Sequence, residues 1–119
     1  MNTILIIEDD IALRENTAEL LELSGYNVIT APNGRIGIEK AEKELPSLII
    51  CDIMMPEVDG YGVLENLSQQ KETQHIPFIF LSAKTEHKEI RKGMDLGADD
   101  YLTKPYEEEE LMSAIESRL

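Results

Sequence analysis

Leu48-Ile49-Ile50-Cys51 is a continuous apolar run that stops on a carboxylate, Asp52. A strand with one wet face alternates apolar and polar residues, whereas an unbroken run belongs to a parallel strand covered by helices on both faces. Similar runs occupy 4–7 and 78–81, with shorter β-branched or aromatic runs at 28–30 and 101–103. Helix-length segments separate them. Residues 11–24 place Leu13, Thr17, Leu20, Leu21 and Ser24 at helical spacing, and Gly25 supplies a left-handed stop. Gly97 repeats that punctuation after a segment of 86–96, which the spacing expects to bury Ile90, Met94 and Leu96. Asn33-Gly34 opens a stretch ending before Pro46, Gly60 opens another to about 67, and residues 107–119 form the last.

Strands alternating with helices over 119 residues predict a single α/β domain, (βα)5, spanning 1–119. Right-handed crossovers and five strands favour a parallel sheet in the flavodoxin-like order 2-1-3-4-5, with helices on both faces. The acidic run 107–110 sits where a helix start attracts negative charge.

Eleven basic residues against 24 acidic ones give a formal charge of −13, which repels nucleic acid and anionic membrane surfaces. Direct nucleic-acid binding is not expected, and no apolar run approaches the roughly 20 residues that span a bilayer. The start of the chain lacks the pattern of a secretory signal, so a cytoplasmic home is the expectation. The lone cysteine, Cys51, reads as a small buried apolar residue. Most carboxylates read as solvated surface.

In doubly wound sheets ligands bind beyond the carboxyl ends of the strands. Those ends carry Glu8-Asp9-Asp10, Asp52, Ser82-Ala83 and Thr103-Lys104-Pro105. Clustered carboxylates repel one another unless a cation offsets them. Oxygen ligands without cysteine or histidine suit Mg²⁺ better than Zn²⁺ or Ca²⁺, and Mn²⁺ would substitute. Asp10 has a plainer explanation, since aspartate is a strong N-cap. A carboxylate beside a metal can attack phosphorus, with Lys104 and the hydroxyl of Ser82 meeting the oxygens of the transferred group.

Four motifs in this order resemble the receiver domain of bacterial response regulators: Ile4-Leu5-Ile6-Ile7-Glu8-Asp9-Asp10; Asp52-Ile53-Met54-Met55-Pro56 with Asp59-Gly60; Leu81-Ser82-Ala83; and Gly97-Ala98-Asp99-Asp100-Tyr101-Leu102-Thr103-Lys104-Pro105-Tyr106. The resemblance covers the whole chain. It implies that Asp52 accepts a phosphoryl group from a phosphohistidine on a sensor histidine kinase or histidine phosphotransfer protein. It makes Asp9 and Asp52 direct Mg²⁺ ligands, Glu8 a ligand through water, and Met54 a ligand through its backbone carbonyl. Ser82 corresponds to the switch hydroxyl, Tyr101 to the aromatic residue that changes rotamer, and Lys104 to the phosphate-contacting lysine, with a cis bond to Pro105. An output domain or downstream protein would read the fourth helix, fifth strand and fifth helix. Such a domain is a signalling module that catalyses its own phosphorylation and dephosphorylation.

Three other readings compete. A flavodoxin-like electron carrier would need a small-residue phosphate loop where this chain has Glu8-Asp9-Asp10. A Mg²⁺-dependent phosphohydrolase would need an aspartate where Met54 stands. A degenerate receiver acting as a protein-binding module is opposed by the intact acceptor, metal and lysine positions. Two positions that influence hydrolytic water in receivers are Met54 and Lys84, neither suited to orienting it, so slow self-dephosphorylation is expected. The winged-helix transcription factor class, which the last motif resembles, pairs through an arginine where this chain has Ala114. Lys88, Arg91 and Lys92 offer only exposed pairs with the fifth helix. A monomer is expected before phosphorylation, with at most weak, salt-sensitive self-association after it.

Overall fold

The structure, a computed structural model, describes residues 2–83 and 87–119, without the side chains of 83 and 87–90. Lys84, Glu86 and the side chains of Lys88 and Ile90 lie outside the described residues. The described elements run β1 (Thr3–Ile7), α1 (Ile11–Leu23), β2 (Asn27–Ala31), α2 (Gly34–Glu44), β3 (Leu48–Asp52), α3 (Gly60–Ser68), β4 (Phe78–Ala83), α4 (His87–Asp95), β5 (Asp100–Lys104) and α5 (Glu108–Glu116). The sheet is parallel throughout, in the order β2-β1-β3-β4-β5. The alternating pattern of the sequence therefore yields the doubly wound sheet it implies.

Side chains leave the central strands alternately to two buried layers. Leu5 and Ile7, Ile49 and Cys51, and Phe78 and Phe80 meet Ala41 of α2 and Tyr61, Val63, Leu64 and Leu67 of α3. Ile4 and Ile6, Leu48 and Ile50, and Ile79 and Leu81 meet Ala18 and Leu21 of α1 and Leu111, Ala114 and Ile115 of α5. Burying each such aliphatic side chain stabilises the fold by roughly 1.5–3 kcal/mol before the cost of ordering it. Two layers this dry explain why the central strands show no polar face.

The helix starts follow from side-chain caps. Asp10 Oδ1 accepts from the Leu13 amide at 3.1 Å, Asn33 Oδ1 from Ile36 at 2.9 Å, and Asp59 Oδ1 from Gly62 at 2.9 Å. Asp10 is thus a cap, as its position implies, and each cap contributes about 1 kcal/mol. In the acidic run, the Glu107 amide donates to Glu110 Oε1 at 3.1 Å, so 107–110 is a helix start. Gly25 and Gly97 follow their helices with φ of +96° and +107°.

One reading of the core is corrected. Met94 was expected inside, but it is 39% exposed, and Gly93 takes the buried place on α4. A Cβ on Gly93 would fall 2.6 Å from the Phe80 ring, so the helix lies on β4 through its backbone and Met94 turns outward. Leu96 is only partly buried against the same layer. Among the described residues, no helix is long and apolar enough to cross a membrane.

Candidate active site

Because all five strands are parallel, their carboxyl ends share one edge, and the sequence puts its charged residues there. Asp52 is the last residue of β3, Ser82 lies near the end of β4, and Lys104 ends β5. The sheet therefore extends through these residues rather than stopping before them. Leu81 pairs with Asp52 and Thr103 with Ser82, which fixes their levels across the edge.

The backbone behind Asp52 is held closely. The Gly60 amide donates to the Ile53 carbonyl at 2.8 Å, and a Cβ on Gly60 would fall 2.5 Å from the Asp52 carbonyl oxygen. Only glycine allows α3 to start this near the end of β3.

Lys104 Nζ donates to Asp52 Oδ1 at 3.0 Å and makes a charge contact with Glu8 Oε1 at 2.9 Å. One ammonium thus spans carboxylates from β3 and from the β1–α1 loop. Glu8 is 1% exposed, and its other oxygen, Oε2, accepts from the Asp10 amide at 3.2 Å. Asp9 is exposed beside them, and carboxylate oxygens of Glu8, Asp9 and Asp52 all lie within 4.8 Å of one another.

Burial and the charge of Glu8 push the Asp52 carboxyl up to about 7, against the opposing pull of Lys104. Burial also works against the Lys104 ammonium, but the Glu8 and Asp52 carboxylates outweigh it and hold its pKa above the usual value. The neighbouring Cys51 thiol is raised well above its ordinary value, first by burial and then by Asp52. It is an inert core group, as its setting in the sequence implies.

One buried polar atom, Ser82 Oγ, has no hydrogen-bond partner among the described residues, and Glu8 Oε1 meets only the Lys104 ammonium at 2.9 Å. An unpaired buried hydroxyl is costly, and in a native protein it calls for an ion, a ligand or water. Three carboxylates within reach of one point, all oxygen donors, fit a hard divalent cation. The residues present therefore suit the metal that the sequence implies.

The remaining candidates lie at the periphery. The Met54 side chain is 59% exposed beyond β3. Tyr101 pairs with Phe80 on the edge strand, so by the pleat it shares a face with Ser82 and lies well back from the carboxylates. Its side chain is 41% exposed. The Lys104–Pro105 bond is cis. The structure adds a residue that the sequence reading passed over: Arg14 Nη1 of α1 donates to the Glu8 carbonyl at 2.7 Å. An arginine on a solvated helix gives no sequence signal of that contact.

Residues 4–116 match the family model of the response regulator receiver domain. The chain is 40% identical over 116 residues to the alkaline phosphatase synthesis transcriptional regulatory protein PhoP of Bacillus subtilis, covering 98% of this chain and 48% of PhoP. The chain spans about half the length of the curated relatives it matches. Among solved structures it resembles the signal receiver domain of a signal transduction histidine kinase from Syntrophus aciditrophicus, with TM-score 0.92, 34% identity, and 100% and 90% of the two chains covered. It also resembles the receiver domain of the sensor histidine kinase PA1611 from Pseudomonas aeruginosa, which has a magnesium ion coordinated in its active site cleft; the TM-score is 0.90 at 26% identity, covering 98% and 95%. Sheet order, the acidic edge with its lysine, and these likenesses agree, and the chain belongs to the response regulator receiver domain family.

Proposed function

We propose that this chain is a phosphoacceptor that receives a phosphoryl group on Asp52 from a phosphohistidine of a sensor histidine kinase or histidine phosphotransfer protein. The observation that carries the reading is the Lys104 ammonium set 3.0 Å from Asp52 Oδ1 and 2.9 Å from Glu8 Oε1. A carboxylate oxygen of Asp52 forms the new O–P bond as the P–N bond to histidine breaks; the imidazole keeps the electron pair and takes up a proton. Lys104 stabilises charge on the transferring oxygens, and Ser82 donates its unpaired hydroxyl to one of them.

Asp9, Asp52 and the Met54 carbonyl would hold Mg²⁺ directly, with Glu8 acting through water, and Mn²⁺ would substitute. Bound there, the ion neutralises charge between acceptor and phosphoryl oxygens. Phosphorylation draws Ser82 toward the new group, and Tyr101, on the same sheet face, turns inward behind it. The α4–β5–α5 face then presents a changed surface to an output domain or downstream protein. The acidic chain makes no direct contact with nucleic acid or membrane in this scheme, and works in the cytoplasm as one receiver domain over 1–119.

Before phosphorylation the domain is a monomer. Ala114, where related receivers carry a pairing arginine, is buried against the core, and Arg118 Nη2 is engaged within the chain by the Asp99 carbonyl at 2.5 Å. Intact mass after treatment with acetyl phosphate and Mg²⁺ tests the central claim. One phosphoryl group is expected, lost in Asp52→Ala and in the presence of a chelator; equal labelling of Asp52→Ala would sink the assignment.

A further inference from the structure

The loop after β1 and the end of β5, which carry opposite charges of the site, are not neighbours in the sheet. Glu8 and Asp9 follow β1, Lys104 precedes the β5–α5 loop, and β3 and β4 stand between β1 and β5. The Lys104 ammonium nevertheless has to stay within about 3 Å of carboxylates on β3 and beside β1 to act.

Helix α1 spans that gap. One turn into it, Arg14 Nη1 holds the Glu8 carbonyl at 2.7 Å. One turn later, Thr17 Oγ1 and the Tyr106 hydroxyl share a hydrogen bond of 2.5 Å, linking residues 89 apart in sequence. Thr17 is 3% exposed, and Tyr106 is half-buried against the α1–α5 layer. Tyr106 is separated from Lys104 only by Pro105, whose ring fixes its own φ. Displacement of Tyr106 therefore bears on the strand end that carries Lys104.

Packing alone does not account for the hydroxyl. A phenylalanine ring would fill the same space, and a buried hydroxyl costs free energy unless it is paired. Thr17, for its part, could have satisfied its own hydroxyl on the preceding turn of its helix. Both groups are instead joined in a contact between α1 and the loop that follows the lysine.

We propose that the Thr17–Tyr106 hydrogen bond is a positioning pair for phosphoryl transfer, clamping α1 to the β5–α5 loop so that the Lys104 ammonium is held at the acceptor. The inference rests on the reading of Asp52 as phosphoacceptor. Neither residue touches the phosphoryl group or the metal. The bond therefore governs events that need Lys104 and leaves alone those that need only the carboxylates.

The test compares the chain with Tyr106→Phe, Thr17→Val, their double variant and Thr17→Ser. Three quantities are measured: the labelling rate with acetyl phosphate at saturating Mg²⁺, beryllofluoride affinity by calorimetry, and Mg²⁺ affinity. Tyr106→Phe and Thr17→Val are each expected to lower labelling and beryllofluoride affinity about tenfold, with Mg²⁺ affinity unchanged. The double variant should match either single one. Thr17→Ser, which keeps the hydroxyl, should restore both. Thr17→Val and Thr17→Ser carry the comparison if Tyr106→Phe does not fold. Wild-type labelling in Tyr106→Phe overturns the inference, as does a parallel fall in Mg²⁺ affinity, which marks general loosening. A wild-type chain that takes neither acetyl phosphate's phosphoryl group nor beryllofluoride overturns the reading beneath it as well.

Discussion

β3 and β5 supply Asp52, the proposed acceptor, and Lys104 to the same site from opposite kinds of ground. β3 is buried at every position and flanked by β1 and β4, whereas β5 is an edge strand with Leu102 alone fully buried. Asp52 thus rides on the part of the fold that is dearest to move. Tyr101 and Lys104 ride on a strand paired on one side only and buried less completely. The proposed switch would use that asymmetry, keeping the point of covalent change fixed while the surface that reports it shifts.

The sharpest way to break the comparison is by stability. Ile50→Ala in β3 removes a fully buried side chain and should cost about 2–5 kcal/mol, a large share of a small domain's stability. Thr103→Ala, on half-buried β5, should cost under about 1 kcal/mol. Urea unfolding of the two variants measures the gap, and equal losses would erase the contrast. Next in size, Lys104→Met should slow labelling by acetyl phosphate about a hundredfold, the loss typical of one electrostatic stabiliser. Labelling at the wild-type rate would show that the edge strand contributes nothing to chemistry.

Proton linkage gives a smaller effect. The folded-state pKa of Asp52, about 7, lies above the ordinary 3.8, so between those values the native chain holds a proton that the unfolded chain has released. Stability without metal therefore falls as pH rises from about 4 to about 7. Asp52→Asn should remove that slope and leave the chain more stable at pH 8 in chelator by about 1–3 kcal/mol. Thermal unfolding across pH measures it, and a slope of the opposite sign would contradict it. The smallest effect concerns lifetime: Met54 cannot orient a water, so Met54→Asn should speed loss of the phosphoryl group a few-fold, by about 1 kcal/mol. Decay followed by intact mass would refute this if the variant were no faster.

The strands and helices were legible because two dry layers leave apolar runs with no polar face, and because Asp10, Asn33 and Asp59 mark helix starts directly. The acidic edge was legible for a related reason. Once the sheet is parallel, its carboxyl ends must meet, and Glu8, Asp9, Asp52 and Lys104 stand at those ends. Met94 was misplaced because apolar spacing credits large side chains with making contacts, and cannot see a helix that rests on Gly93. The Arg14 and Thr17–Tyr106 contacts were illegible for want of any local pattern: each joins a polar side chain on α1 to a loop, and polar spacing on a helix does not say which groups turn inward.

The backbone-to-ring seat of Gly93 on Phe80 has a mechanical consequence. Helices that pack through large side chains interlock, and sliding one requires its knobs to climb out of their holes. At Gly93 there is no knob; the helix presents a smooth saddle to an aromatic plate, braced from beside by the T-shaped neighbours Tyr61 and Phe78. Beside that seat the Lys92 ammonium of the same helix lies 4.6 Å from the centre of the Tyr61 ring. On the proposed phosphoacceptor reading, a shift of the fourth helix would lift no large side chain out of a hole at Gly93.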